Sequence, residues 1–165
     1  MQDDAGLIEE AQRLIAEATA GGIRIVTAES CTGGLIAGYL TEVPGSSAVV
    51  DRGYVTYSNA AKTEVLHVDD AALQAFGAVS GEVARAMALG ALAASHADIA
   101  VSVTGVAGPG GGSAEKPVGL VHFAAARGDR LVHRKEMFGD IGRRRIRLMS
   151  VAIAFDLIDQ MMRQD

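Results

Sequence analysis

A hydroxyl, a thiol and a second hydroxyl are crowded into one short stretch of the chain, Ala28-Glu29-Ser30-Cys31-Thr32-Gly33-Gly34. A strand candidate over residues 23–27 precedes it, and an apolar-periodic helix candidate begins at Leu35. Ser30 is therefore predicted to lie in a strand-to-helix turn, where open α/β sheets bind ligands. The glycines let backbone N–H groups approach a ligand, and a helix N-terminus favours an oxyanion. The second interpretation is that Ser30 or Thr32 only caps the helix.

Lys62 is the first candidate for a catalytic partner of Ser30. Ser58 or Asn59 can cap a short helix in which Lys62 occupies the first or second turn. The positive end of the helix dipole disfavours an ammonium there, so a desolvated lysine would have a lowered pKa and could act as a neutral base. Taken alone, Lys62 fits a surface lysine on a short amphipathic helix better than a base, and it gains weight only beside Ser30.

A glycine-rich loop from Thr104 to Pro117 follows another strand candidate, Ile99 to Val103. It lacks the Gly-Lys-Ser/Thr of a Walker A loop and the glycine spacing of a Rossmann loop. Its backbone N–H groups, beginning with Gly105, could still cradle a phosphate or a ribose. A flexible crossover loop is the alternative.

Four arginines lie at the start of the last helix candidate: Arg143, Arg144, Arg145 and Arg147. The helix dipole disfavours cations at an N-terminus, so this cluster indicates that an anion, most naturally a phosphate, binds there. A solvated basic face or an ion-pair cluster between subunits would also explain it.

The composition limits the class of protein. The chain has 165 residues, of which 49% are hydrophobic and 21% charged, and this predicts one globular domain over residues 1–165. A net charge of −5 argues against nucleic acid or an anionic membrane as a partner. The single Cys, the acidic N-terminus and the lack of a bilayer-length apolar run favour the cytoplasm. The scattered histidines, including His122 and His133, indicate neither a catalytic triad nor a metal site.

Strand and helix candidates alternate along the chain, and Arg127-Gly128-Asp129 is a hairpin candidate near the end. This order predicts an α/β fold of three layers, α/β/α, with a mixed, mostly parallel sheet and helices on both faces.

Together these segments resemble the family of the C-terminal domain of the competence/damage-inducible protein CinA, over nearly the whole chain. The resemblance is carried by residues 27–34, 45–47, 54–59 with Lys62, 77–80, 104–109 and 116–119. Enzymatic members of that family hydrolyse the carboxamide of nicotinamide mononucleotide, NMN. The resemblance therefore implies a CinA C-terminal domain-like fold, a homo-oligomer and an amidohydrolase that needs no metal or redox cofactor.

By the same resemblance, Ser30 is the nucleophile and Lys62 its base. Backbone N–H groups of Thr32, Gly33 and Gly34, or of Gly105, would bind the oxyanion. Tyr57, Thr104 and Arg145 would surround the pocket. The family's arginine after Gly-Asp is displaced here by Ile141-Gly142, and Arg145 aligns best with it, ahead of Arg144.

Two other functions are compatible with the same residues. The domain could bind a nucleotide or a protein without turnover, as a regulator linked to competence or the DNA damage response. It could also be an amidohydrolase for a related carboxamide.

Overall fold

A mixed β-sheet lies at the centre of the computed structural model, which describes residues 4–163. The strands of this part of the chain are β1 (Ile25–Glu29), β2 (Val50–Val55), β3 (Ile99–Gly105), β4 (Leu120–Arg127) and β5 (Arg130–Met137). Their order in the sheet is β2-β1-β3-β4-β5. β1 pairs in parallel with β2 and β3, whereas β3–β4 and β4–β5 are antiparallel, so parallel pairings are two of the four described.

Helices cover both faces of the sheet. They are α1 (Asp4–Gly21), α2 (Leu35–Thr41), α3 (Asn59–Leu66), α4 (Asp70–Phe76), α5 (Gly81–Ala93) and α6 (Arg143–Met162). The larger core packs α1, α2 and α6 on one face, and a second core packs α3, α4 and α5 on the other. The predicted three-layer α/β fold with a mixed sheet is confirmed. Within residues 4–163, none of the helices combines the length and hydrophobicity needed to cross a bilayer.

β1 lies between β2 and β3, and every one of its residues is buried. Strands covered on both faces read as continuous rather than alternating apolar runs, as this one does apart from Thr27 and Glu29. The register of β2 against β1 shifts by one residue, since Ile25 pairs with Val50 but Val26 pairs with Arg52. The predicted hairpin at Arg127-Gly128-Asp129 also joins β4 to β5.

Gly90 of α5 allows α3 to approach that helix closely. A Cβ atom on Gly90 would lie 2.0 Å from the carbonyl oxygen of Leu66, so only glycine fits at this crossing. Leu66 ends α3, the helix that carries Lys62. The contact therefore fixes the helix on which the candidate base lies.

The parallel pairings bring three candidate segments to one edge of the sheet. Ser30 follows β1, Thr56 and Tyr57 follow β2, and Thr104 and Gly105 end β3. Backbone hydrogen bonds continue past the strand ends: the Ser30 N–H donates to the Val103 carbonyl at 3.0 Å. The backbone hydrogen bonds that pair the strands therefore also position Ser30.

Candidate active site

Ser30 and Lys62 meet at the carboxyl edge of the sheet. Lys62 Nζ lies 3.0 Å from Ser30 Oγ and donates a second hydrogen bond, of 2.8 Å, to the carbonyl oxygen of Thr56. Ser58 is the N-cap of α3, and its Oγ accepts the Ala61 N–H at 3.1 Å, as predicted for this helix. Because the N-cap Ser58 precedes Lys62 by four positions, Lys62 lies in the first turn of α3, where its Nζ reaches Ser30 Oγ.

Lys62 is among the largest fully buried side chains in the described part of the chain, with 1% of its surface exposed. Burial penalises the ammonium and lowers the pKa of Lys62 from its ordinary value of 10.5. No carboxylate of residues 4–163 forms an ion pair with it that would oppose this shift. The lysine can therefore be a neutral amine that accepts a proton from the Ser30 hydroxyl.

Cys31 is adjacent to Ser30 but lies in a different environment. It is 6% exposed and belongs to the larger core. Desolvation raises the pKa of its thiol to about 12, so the reactive thiolate is not formed near neutral pH. The hydroxyl of Ser30 is the better-placed nucleophile.

The turn after β1 is organised by Glu29, a role that the sequence pattern does not indicate. Its buried carboxylate accepts the N–H groups of Gly34, Ile36 and Ala37 at 2.9–3.0 Å. The carboxylate thus satisfies the N-terminus of α2, whose N-cap Gly34 offers no side chain. The alternative interpretation of this turn, in which Ser30 or Thr32 caps the helix, is therefore wrong, because Glu29 caps it.

Two of the predicted oxyanion donors are already engaged. The Gly33 N–H donates to the Ser30 carbonyl at 3.0 Å, and the Gly34 N–H donates to Glu29. Contrary to the sequence prediction, neither is free for an oxyanion. In the described chain, no carbonyl of another residue accepts the N–H groups of Cys31 and Thr32, which leaves them as the available donors of the turn. The Thr32 hydroxyl is also buried without a partner among residues 4–163.

A cavity of about 290 Å³ opens over Ser30. Five predicted site residues line it: Ser30, Tyr57, Lys62, Thr104 and Gly105. Thr104 Oγ1 donates to the Ala78 carbonyl at 2.8 Å, which leaves its lone pairs for a ligand. The glycine-rich loop closes one side of the cavity through residues 105–108, 110 and 111. Gly33 and Gly34 line a separate groove, beside Asp4 and Tyr39.

The arginine at this cavity is Arg143, not Arg144 or Arg145. Arg143 donates to Tyr57 Oη at 3.0 Å and to the Gly108 carbonyl at 2.9 Å. Arg144 forms an ion pair of 3.1 Å with Asp4 on α1, and Arg145 is exposed. The structure therefore does not bring the two predicted arginines to the pocket.

The spacing of the arginines along the helix could have indicated that Arg143 and Arg145 point in different directions. Arg143 and Arg147 are separated by four residues and lie on one face of α6, together with the buried Ile146 and Ser150. Arg147 donates to the carbonyl oxygens of Cys31 and Thr32. The residues of this face, rather than Arg145, point at the site.

Two histidines that looked scattered in the sequence lie together on β4 and β5. His122 Nδ1 is 3.0 Å from His133 Nε2, and the rings stack with centroids 5.2 Å apart. Neither ring lines the cavity over Ser30. Between Asp4 and Arg163, no group of three His, Cys, Asp or Glu side chains has an arrangement that could hold a metal ion.

The fold and this site define a class: α/β proteins that present a serine beside a buried lysine at the carboxyl edge of central parallel strands. Within that class the chain belongs to the CinA C-terminal domain family, whose sequence model matches residues 8–162. The resemblance drawn from the sequence motifs is thereby confirmed.

Relatives of known name cover most of the chain. A protein of Enterobacter agglomerans named nicotinamide-nucleotide amidohydrolase PncC is 54% identical over 137 residues, which make up 82% of each chain. The protein of that name from Escherichia coli K12 is 44% identical over 164 residues, 98% of each chain. The crystal structure of the competence/damage inducible protein CihA from Agrobacterium tumefaciens superposes with a TM-score of 0.95. It is 52% identical, and the match covers 99% of this chain and 98% of that one.

Proposed function

We propose that this protein is a nicotinamide-nucleotide amidohydrolase that converts NMN and water to nicotinic acid mononucleotide and ammonia. The names of relatives that align with it over nearly their full length support this activity. The structural observation that carries the proposal is the distance of 3.0 Å between Ser30 Oγ and the Nζ atom of the buried Lys62. A serine with a desolvated lysine as its base is a known variant of nucleophilic catalysis.

In the acylation step, the neutral amine of Lys62 takes the hydroxyl proton as Ser30 Oγ bonds to the carboxamide carbon. The carbonyl π electrons move to the oxygen and form a tetrahedral oxyanion. When the C–N bond breaks, the lysine ammonium returns the proton to the leaving nitrogen, so ammonia departs and a nicotinoyl ester of Ser30 remains. Lys62 is neutral again and ready for the second step.

The oxyanion requires donors that are not already used by the protein. The N–H groups of Cys31 and Thr32 meet this condition, whereas those of Gly33 and Gly34 do not. Cys31 directly follows the nucleophile and lines the cavity, and the amide after a nucleophile on a strand-to-helix turn is a common oxyanion donor. We therefore assign the role first to Cys31, with the buried Thr32, which does not itself line the cavity, as the second donor, in place of the two glycines.

Deacylation repeats the chemistry with water as the nucleophile. Lys62 takes a proton from the water as its oxygen attacks the ester carbon, and then returns a proton to Ser30 Oγ as the acyl bond breaks. The product acid leaves and the serine is regenerated. Every proton in this cycle passes through Lys62, and neither step needs a metal or redox cofactor.

The phosphate of the nucleotide would bind to Arg143, with Tyr57 beside it. The Arg143 side chain forms no ion pair with a carboxylate of residues 4–163, so its charge is available to an anion. Tyr57 is 59% exposed at the cavity and offers its ring and its hydroxyl to a ligand. The proposal further places this reaction in the cytoplasm, in a homo-oligomer acting on a free nucleotide without nucleic acid or a membrane.

An ammonia-release assay with purified protein tests the proposal, with NMN as substrate and nicotinamide and NAD as comparisons. We expect ammonia and nicotinic acid mononucleotide in equal amounts from NMN, and none from the Ser30→Ala variant. Tight binding of NMN by the wild-type protein without release of ammonia would instead favour a regulatory module.

A further inference from the structure

Arg147 holds the turn that carries the nucleophile. Its Nε donates to the Cys31 carbonyl at 3.1 Å and its Nη2 to the Thr32 carbonyl at 2.8 Å. The two residues whose carbonyls it binds directly follow Ser30. Arg147 lies one helical turn after Arg143 on α6, which packs against the sheet through the larger core. One guanidinium therefore connects α6, the last helix of the described chain, to the turn that follows Ser30.

The carbonyls that Arg147 binds determine where the unused N–H groups point. In a planar trans peptide, the C=O and N–H bonds point in opposite directions. Because the Cys31 carbonyl is directed at Arg147, the Thr32 N–H of the same peptide is directed away from it. In the same way, the hydrogen bond from the Gly33 N–H to the Ser30 carbonyl orients the Cys31 N–H. The two free donors are therefore fixed by contacts on their carbonyl sides.

We propose that Arg147 is a positioning residue that builds the oxyanion-binding site. It orients and polarises the Cys31–Thr32 peptide, which carries the free Thr32 N–H, and the Thr32–Gly33 peptide, whose N–H holds the Ser30 carbonyl and so orients the Cys31 N–H. The inference rests on Ser30 being the nucleophile of the proposed function. A charged donor on a carbonyl strengthens the partial positive charge on the N–H of that peptide, because chains of hydrogen bonds polarise one another. The benefit grows as negative charge develops, so it belongs to the transition state.

The surroundings of Arg147 favour this role over a purely structural one. The side chain is half-buried, and within residues 4–163 no carboxylate forms an ion pair with it. The two arginines that join α6 to α1 do use carboxylates, since Arg13 binds Asp159 at 2.8 Å and Arg144 binds Asp4, whereas Arg127, which joins β4 to the end of α6, binds carbonyl oxygens. The nearby Glu29 carboxylate is occupied by three N–H groups at the start of α2, and Arg147 has no ion pair of its own, so its positive field acts on the developing oxyanion.

The test measures how fast an alkyl fluorophosphonate labels Ser30. Ser30 Oγ bonds to phosphorus, fluoride leaves and the hydroxyl proton passes to Lys62, with negative charge on the phosphoryl oxygen in the transition state. Arg147→Gln should slow labelling by about tenfold to a hundredfold, somewhat less than the loss of an oxyanion donor itself. Arg147→Lys, which keeps the charge but cannot bind both carbonyls in a fork, should fall in between.

Arg13→Gln is the matched control, because it removes a structural guanidinium on the same face of the sheet that lies far from Ser30. With NMN, Arg147→Gln should lower kcat and leave KM and the midpoint of the pH profile unchanged.

Labelling at the wild-type rate by either folded Arg147 variant would overturn the inference. So would variants whose only defect is a lower thermal midpoint, as in the control. Labelling does not require NMN, so wild-type protein that is labelled but releases no ammonia would refute the proposed function and not the role of Arg147.

Discussion

Arg143 Nη2 lies 3.0 Å from Tyr57 Oη, which joins the first turn of α6 to the segment after β2 across the mouth of the cavity. The guanidinium also reaches the Gly108 carbonyl, so it is fixed by two elements while carrying no carboxylate partner in the described chain. A cation held in place but not neutralised is suited to bind a phosphate.

Replacing Arg143 by glutamine should weaken the binding of NMN. A hydrogen bond to a charged group contributes roughly 1.5–3 kcal/mol, which corresponds to a rise in KM of about tenfold to a hundredfold. Nicotinamide riboside, which lacks the phosphate, should be affected far less if it is a substrate. Steady-state kinetics of Arg143→Gln on both compounds measures the difference.

Arg145→Gln separates this assignment from the one based on sequence. Arg145 is exposed and does not line the cavity, so its loss should leave KM for NMN within about twofold of wild type, a surface effect. A silent Arg143→Gln with a damaging Arg145→Gln would show that the sequence alignment was right. Equal losses on NMN and the riboside would mean that Arg143 supports the fold or the chemistry.

Ser30→Ala should abolish ammonia release, whereas Cys31→Ala should remain largely active. Cys31 is buried and its pKa is raised to about 12, so its thiol is neither accessible nor ionised near neutral pH. Removing the sulfur still leaves a small cavity, so a loss of stability of about 1 kcal/mol is expected. An NMN assay at equal concentrations of folded protein decides between the two residues, and the reverse pattern would refute the serine.

Much of the fold was predictable from local pattern. Apolar periodicity indicated the helices and strands, and Arg127-Gly128-Asp129 indicated the turn between β4 and β5. Ser30 and Lys62 could be paired in advance because each begins or ends a regular element, and parallel strands collect such ends at one edge. The antiparallel hairpin β4–β5 was also predicted. Antiparallel pairings are, however, two of the four described, a larger share than the expected mostly parallel sheet would have.

The arginine assignment could not be made from local pattern alone. The direction of each arginine depends on where α6 begins, at Gly142, and on how its buried residues rotate the helix onto the sheet. Spacing groups Arg143 with Arg147, but only tertiary packing shows that this face meets the cavity. The same holds for Glu29, whose carboxylate reaches N–H groups up to eight residues further along the chain.

Glu29→Gln should destabilise the protein and reduce its activity. The carboxylate accepts three backbone N–H groups and the Thr27 hydroxyl, and an amide would set its own N–H donors against some of them. A buried unsatisfied donor costs about 1–3 kcal/mol, or very roughly 2–10 °C in the thermal midpoint of a domain of this size. Urea unfolding measures the loss. The exposed Glu64→Gln is the control, and equal stability of the two variants would contradict the capping role.

Lys62→Met should abolish turnover, and in the wild type kcat/KM should fall as the pH is lowered, because protonation removes the general base. Near-wild-type turnover of the folded Lys62→Met variant would refute the dyad. Thermal midpoints recorded beside the assay establish that the variant is folded.

The same lysine makes stability depend on pH in a predictable direction. Burial lowers the pKa of Lys62 in the folded protein below 10.5, the ordinary value that the unfolded chain retains. Between those two pKa values the unfolded state binds the extra proton, so the wild-type free energy of unfolding should rise with pH relative to Lys62→Met. The slope approaches about 1.4 kcal/mol per pH unit for one proton. Urea unfolding of both proteins from pH 7 to pH 10 measures it, with Lys135→Met on the exposed side of β5 as control. A pH-independent difference between wild type and Lys62→Met would mean that Lys62 is charged in the folded protein and cannot be the resting base.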